Sequence, residues 1–209
     1  MHLLLASTSP RRRELLELLG VSFRIVPPNC EETLSPHLSS SEQNRQLARD
    51  KAQSVATQHP QALVIGSDTV IEIDGKLLGK PDNMQEAETM LRHLRGQCHQ
   101  VHTGVAVIQT CNKVSIDFVE TAKVWIKSFD EATLQSYLAT QESLGKAGAY
   151  SIQGEGAQLI EKIQGDYPTI VGLPLWGTAK VLEKQGVVLP NSIEEIYRLK
   201  PYANWKEFA

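Results

Sequence analysis

The chain has 209 residues, 41% of them hydrophobic, enough for one large compact domain or two small lobes sharing a cleft. Its formal net charge of −3 and isoelectric point of about 6.1 exclude the global basic field of a protein that holds duplex nucleic acid, so any polyanion site must be local. Cys30, Cys98 and Cys111 are odd in number and widely spaced, which argues against a disulfide framework or a zinc site and points to a reducing cytoplasm.

Leu3 to Ala6 reads as an apolar strand, followed by the hydroxyl turn Ser7-Thr8-Ser9 and a helix that opens on Pro10 and carries Arg11, Arg12 and Arg13 in its first turn. Proline suits that first position, and Ser7, Thr8 or Ser9 could cap the helix. Cations there face the positive end of the helix dipole, so the arrangement points to an anion, phosphate first, that collects the N–H groups and the guanidinium charge together. Arg13 instead has Glu17 four residues on as a surface partner. An apolar run followed by basic residues is the reverse of a signal peptide. No uncharged stretch is long enough to span a bilayer, so the chain is read as soluble, with no membrane partner.

The first helix stops at Gly20, and Val21, Phe23 and Ile25 alternate with polar residues as in a half-buried strand that Pro27 and Pro28 end. After a polar segment a helix is predicted from near Ser41 to about Gln58, with Leu47, Ala48, Ala52, Val55 and Ala56 as its apolar stripe. Ala62 to Gly66 reads as a short buried strand with Asp68 just past its end. Thr69 to Ile73, the Asp74-Gly75 turn and Lys76 to Leu78 form a predicted hairpin, and Asn83 caps a helix running through Leu94 to Gly96. Val101 to Ile108 and Val114 to Ile126 are strands. A helix from Asp130 through Leu138, a glycine-rich stretch from Gly145 to Gly156, a strand around Gln158 to Ile163 and a helix from about Leu175 to Gln185 follow. This alternation gives an α/β or α+β class with a mixed sheet flanked by helices. One domain over residues 1–186 is expected, with residues 187–209 as an extension packed on it, because Tyr202 and Trp205 would otherwise be exposed.

Asp68 follows a buried strand, and in open α/β sheets the carboxyl ends of strands face the ligand crevice, where a carboxylate can bind metal or act as a general base. A turn-capping Asp is the plainer alternative. Lys80, between Gly79 and Pro81, is presented from a restricted turn, though taken alone a solvated surface lysine is the more ordinary reading. Glu31 and Glu32 are adjacent carboxylates on a loop, able to supply oxygens to Mg²⁺ or Mn²⁺. Lys51, beside Arg49 and Asp50, sits on what looks like the polar, solvated side of its helix. His99 and His102 fall on opposite faces of a strand and offer no metal pair. Walker, dinucleotide and nucleophile-elbow motifs are absent. The remaining cations and carboxylates suit metal-assisted attack of water on a polyphosphate.

In order along the chain, Ser7-Thr8-Ser9-Pro10-Arg11-Arg12, Leu47-Ala48-Arg49-Asp50-Lys51-Ala52, Gly66-Ser67-Asp68-Thr69-Val70, Gly79-Lys80-Pro81, Thr103-Gly104-Val105, Lys146 through Gly154, and Gly165-Asp166-Tyr167 through Pro174 resemble the motifs of the Maf family of nucleoside triphosphate pyrophosphatases. The resemblance implies a fold related to inosine triphosphate pyrophosphatases, with a substrate cleft between two lobes, and hydrolysis between the α and β phosphates. It implies Asp68 as proton acceptor, Ser7, Arg11, Arg12, Lys51 and Lys80 as the phosphate-binding set, and Glu32 with Asp68 as ligands of Mg²⁺ or Mn²⁺. Arg11, Thr69 and Gln153 match the branch acting on dTTP and UTP, and a glutamine amide can donate and accept at once, as the O4 and N3–H edge of thymine or uracil requires. House-cleaning of non-standard nucleotides and a homodimer belong to the same implied picture. The alternatives are a 7-methyl-GTP or CTP pyrophosphatase and a non-catalytic nucleotide-binding regulator of cell division. Pro168-Thr169-Ile170 and the long tail depart from the pattern without touching the implied catalytic set.

Overall fold

A computed structural model describes residues 2–31 and 37–208. They divide into two compact units: the first gathers Met1–Asp68, Thr103–Glu120 and Gly172–Pro201, the second Thr69–His102, Thr121–Val171 and Tyr202–Ala209. The strands among the described residues, β1 (Leu3–Ala6), β2 (Arg24–Ile25), β3 (Leu63–Ile73), β4 (Lys76–Leu78), β5 (Cys98–Gln109), β6 (Val114–Ile126) and β7 (Ile160–Gln164), form one mixed sheet in the order β2-β1-β3-β5-β6-β7, with β4 hydrogen-bonded to β3.

In the first unit β1 (Leu3–Ala6), buried at every residue, pairs in parallel with β2 (Arg24–Ile25) and with β3 (Leu63–Ile73), the latter with Ala6 opposite Gly66. The strand expected from Val21 to Ile25 shrinks to two residues opposite Leu4 and Leu5. β1 is only four residues long, and the prolines after Val26 have no N–H with which to extend the ladder. α1 (Pro10–Glu17) begins on proline as predicted. Its cap differs from the expectation. Ser9 is the N-cap residue but makes no side-chain capping bond, and its own N–H instead donates to Ser7 Oγ at 3.1 Å.

α2 (Ser40–Ala56) starts with a capping box in which Ser39 and Glu42 satisfy each other's backbone N–H groups. Its small residues Ala48, Ala52 and Ala56 pack with Val55 against Leu4, Ala6, Val64, Ala106 and Ile108. The approach is so close that a Cβ at Gly66 would lie 2.4 Å from Ala48 O, and one at Gly104 would lie 2.8 Å from Asn44 O. Glycine at these two strand positions is therefore what lets α2 lie on the sheet.

β3 does not stop at Gly66. It runs on through Asp68 to Ile73 and turns at Asp74 and Gly75, both at positive φ (52° and 72°), into β4 (Lys76–Leu78), the predicted hairpin. In the second unit α3 (Met84–Leu94) is capped by Asn83, whose Oδ1 accepts from Glu86 N at 2.9 Å. β5 (Cys98–Gln109) and β6 (Val114–Ile126) contribute residues to both units. α4 (Glu131–Ala139), capped by Asp130, is followed by two short 3-10 turns and by β7 (Ile160–Gln164), antiparallel to β6.

The five-residue α5 (Tyr167–Val171) was not expected; Asp166 starts it, accepting from Thr169 N at 3.1 Å and Thr169 Oγ1 at 3.0 Å. α6 (Leu175–Lys184) and α7 (Ile193–Leu199) belong to the first unit, and α8 (Ala203–Glu207) belongs to the second. No helix among the described residues is long and apolar enough to cross a membrane.

Candidate active site

Side by side at the carboxyl ends of β1 and along β3, the parallel register brings Ser7 next to the segment that carries Ser67 and Asp68. Gly66 and Asp68 are two residues apart and share a strand face, the face on which α2 lies. From α2, Lys51 Nζ makes an ion pair with Asp68 Oδ1, and Asn44 Nδ2 donates to Asp68 Oδ2 at 3.1 Å. Asn44 is 0% exposed, Lys51 7% and Asp68 6%. The carboxylate is thus held at both oxygens, and each oxygen keeps a second lone-pair direction.

The solvated-face reading of Lys51 is overturned. Asn44, Leu47, Ala48, Lys51 and Val55 follow the i, i+3, i+4, i+7 rule and form one buried face. A lysine there is tolerated because its charge finds Asp68, since an unpaired buried ammonium is costly. Asn44 escaped the sequence reading because its partner lies 24 residues away on another element. The one available signal was its place on the apolar stripe.

On the loop and first turn, Ser7 is 3% exposed and its Oγ accepts from Ser9 N and, at 3.5 Å, from Arg12 Nη1. Having accepted twice, the hydroxyl keeps its proton to donate. Arg12 Nε donates to Gly172 O at 2.9 Å, and Ser67 Oγ donates to the same carbonyl at 2.9 Å. Gly172, at φ +124°, takes a conformation that a side chain would strain. Arg11 is half-buried, and Arg13 pairs with Glu17 at 3.4 Å as expected of a surface residue.

The first unit therefore brings Ser7 to Arg12 and Lys51 to Asp68. Thr69, Lys80 and Gln153 belong to the second unit, where Thr69 and Gln153 are half-buried and Lys80 is exposed on the turn after Gly79, whose carbonyl accepts from Gly148 N at 3.0 Å. Glu32 lies outside the described residues; Glu31 is exposed. Among the described residues no group of three His, Cys, Asp or Glu side chains is arranged to hold a metal. A single hard carboxylate with a lone-pair direction left on each oxygen fits the way Mg²⁺ is held in phosphate enzymes, through one or two carboxylates plus phosphate.

A mixed sheet flanked by helices, with Arg12 and a buried Lys51 and Asp68 pair near the carboxyl ends of two parallel strands, defines an α/β protein. The fold resembles that of a HAM1 protein from Coxiella burnetii, with a TM-score of 0.53 at 17% identity over 88% of this chain and 99% of that one. The model of the family described as Maf-like protein matches residues 2–185, and the chain belongs to the Maf family. Among its relatives, a dTTP/UTP pyrophosphatase of Pelotomaculum thermopropionicum is 46% identical over 185 residues, covering 88% of this chain and 97% of its own. A dTTP/UTP pyrophosphatase of Shouchella clausii is 48% identical over 184 residues, covering 87% and 94%.

Proposed function

We propose that this chain is a dTTP/UTP pyrophosphatase, which hydrolyses the bond between the α and β phosphates to give the nucleoside monophosphate and pyrophosphate. The observation that carries the reading is the buried Asp68, paired with Lys51 and Asn44 beside the Ser7 and Arg12 cluster. The relatives' names support the substrate class. Asp68, with a lone pair left on each oxygen, takes the proton of the attacking water, whose oxygen bonds to the α phosphorus as the bridging oxygen leaves with pyrophosphate. The Lys51 ammonium beside that carboxylate keeps it oriented and offsets charge on the phosphates, while Ser7 and Arg12, with Arg11 and Lys80, bind phosphate oxygens.

The residues that would hold Mg²⁺ or Mn²⁺ are Asp68 and Glu32 together with substrate oxygens, and the cation when bound offsets triphosphate charge. Gln153 reads the base edge, with Thr69 and Arg11 as further specificity positions. The test is pyrophosphate release from a panel of dTTP, UTP, CTP, GTP and 7-methyl-GTP with Mg²⁺ or Mn²⁺. Turnover of dTTP and UTP above the rest is expected. Binding of nucleotide without release from any of them would mean a regulator rather than an enzyme, and preference for CTP or 7-methyl-GTP would move the protein to another branch.

A further inference from the structure

The family match ends at residue 185, and beyond it the chain supplies a helix to the segment that carries Gln153. Both belong to the second unit. α8 is anchored by Trp205, 2% exposed, whose indole stacks on the ring of Tyr167 with centroids 5.5 Å apart and planes 9° from parallel. Tyr202 extends the stack, its ring 6.5 Å from Trp205. One residue before that anchor, Asn204 Nδ2 donates to Ile152 O at 2.7 Å.

That carbonyl belongs to the peptide unit joining Ile152 to Gln153, and the N–H of the same unit donates to Ser151 Oγ at 3.1 Å. A peptide unit is planar, so pinning its C=O and N–H ends together fixes the N–Cα bond about which the Gln153 side chain is carried. On the far side, Glu142 accepts from Glu155 N at 3.1 and 3.2 Å, which holds the turn at Gly154. Of these three clamps around Gln153, the one from Asn204 originates in residues outside the family match.

We propose that Asn204 is a positioning residue for Gln153, and that α8 thereby sets how sharply the protein distinguishes thymine and uracil from other bases. The inference rests on the reading of Gln153 as the residue that meets the base. A two-point amide contact tolerates displacements of only about half an ångström, so a peptide unit free to rotate at one end blunts discrimination before it blunts chemistry. Folding is a separate matter, because the Trp205 and Tyr167 stack anchors α8 without help from Asn204.

The test uses the full chain with Mg²⁺ and compares wild type, Asn204→Asp, Asn204→Ala, Gln153→Ala and the Gln153→Ala/Asn204→Ala double variant on dTTP, UTP and CTP, with the urea midpoint of each. Asn204→Asp keeps the shape and removes the donor. The kcat/KM ratio of dTTP to CTP should fall about tenfold in both Asn204 variants through KM for dTTP, with kcat within about twofold. In the double variant, loss of Asn204 should add nothing to the loss caused by Gln153→Ala. An unchanged ratio, equal losses on dTTP and CTP, or additive effects in the double variant overturn the positioning role, whatever the urea midpoints do. A wild type inert towards all three nucleotides overturns the functional reading itself. A wild type active on dTTP yet indifferent to Gln153→Ala overturns the role of Gln153 and this inference with it.

Discussion

In the first unit the segment carrying Asp68 is held by backbone lying on backbone: α2 touches β3 at Gly66 and β5 at Gly104 so closely that neither position has room for a methyl group. In the second unit the segment carrying Gln153 folds tightly on itself at Gly156, where a Cβ would lie 2.4 Å from Ser151 O, but it is tied to other elements by side chains reaching backbone, from Glu142 and Asn204, and by an aromatic stack. Close-packed backbone cannot be retuned one residue at a time, because interiors are dense and overpacking moves whole elements. Polar clamps can be exchanged singly, each contributing roughly 1 kcal/mol. The contrast matches the two jobs proposed for these segments: attack on a phosphoanhydride is the same for every nucleotide, whereas recognition of the base is what differs between them.

The largest effect expected is in the first unit. Asp68→Asn removes the proposed proton acceptor and leaves Lys51 buried opposite a neutral amide. Pyrophosphate release should fall on the order of a thousandfold, with stability lowered by about 3 kcal/mol. Both are read on protein whose near-ultraviolet circular dichroism is intact, by release assay and urea titration. Release within tenfold of wild type would falsify the role of Asp68 and leave the pair as structure alone.

Next comes Gly66→Ala. Its Cβ would meet Ala48 O at 2.4 Å and Ala52 N at 2.6 Å, both backbone atoms that cannot swing aside. A loss of about 3 kcal/mol in urea titration is expected, with α2 displaced and Lys51 and Asn44 drawn away from Asp68. Gly79→Ala in the second unit, where a Cβ meets nothing among the described residues within 4 Å, is the control, and it should stay within about 0.5 kcal/mol. Equal costs at the two glycines would dissolve the contrast between the units.

Much of this arrangement was legible because its causes are local. The Asp74-Gly75 hairpin, the Asn83 cap and the proline start of α1 each follow from side-chain and backbone preferences within four residues. Asp68 was expected just past a strand end because the apolar run stops at Gly66, yet β3 continues through polar residues that have partners of their own, Gly172 O for Ser67 and α2 for Asp68. Lys51 and Asn44 were misread or missed for the same reason: a buried polar group is explained by a partner far along the chain, which periodicity cannot supply. The short α5 escaped because five residues with a proline carry almost no periodic signal. The family motifs marked Ser7, Arg12 and Gln153 by position, while what holds Gln153 in place lies partly in the tail.

Acid offers a way to perturb the second unit through one identified group. His99 is 2% exposed, with Nε2 2.7 Å from Tyr150 Oη and Nδ1 buried without a hydrogen-bond partner among the described residues, and burial pushes its pKa down from 6.5 to about 4. Because the folded value lies below the unfolded one, the unfolded chain takes up the proton first. Stability is full above pH 6.5, is lost as pH falls towards 4, and the total amounts to about 3 kcal/mol. Urea midpoints measured between pH 7 and pH 4 should therefore slope downward, and His99→Phe should flatten that slope. An unchanged slope in the variant would assign the acid sensitivity to other groups.

The smallest effect sharpens the comparison within a single turn. Arg12 and Arg13 are neighbours in sequence, but each residue of a helix turns by about 100°, so the two side chains leave α1 in different directions. Arg12 turns inward to Gly172 O and Ser7 Oγ, while Arg13 meets Glu17 at 3.4 Å with both side chains about half exposed. An exposed pair at i and i+4 contributes about 0.3–0.5 kcal/mol, and salt screens it. Arg13→Ala should therefore lower stability by no more than about 0.5 kcal/mol, less still at high salt, with pyrophosphate release within about twofold of wild type. A loss of release comparable to that of Arg12→Ala would mean that the whole basic turn, rather than its inward-facing members, binds the phosphates. The unequal outcome would place the proposed anion site on the side of α1 that faces Ser7.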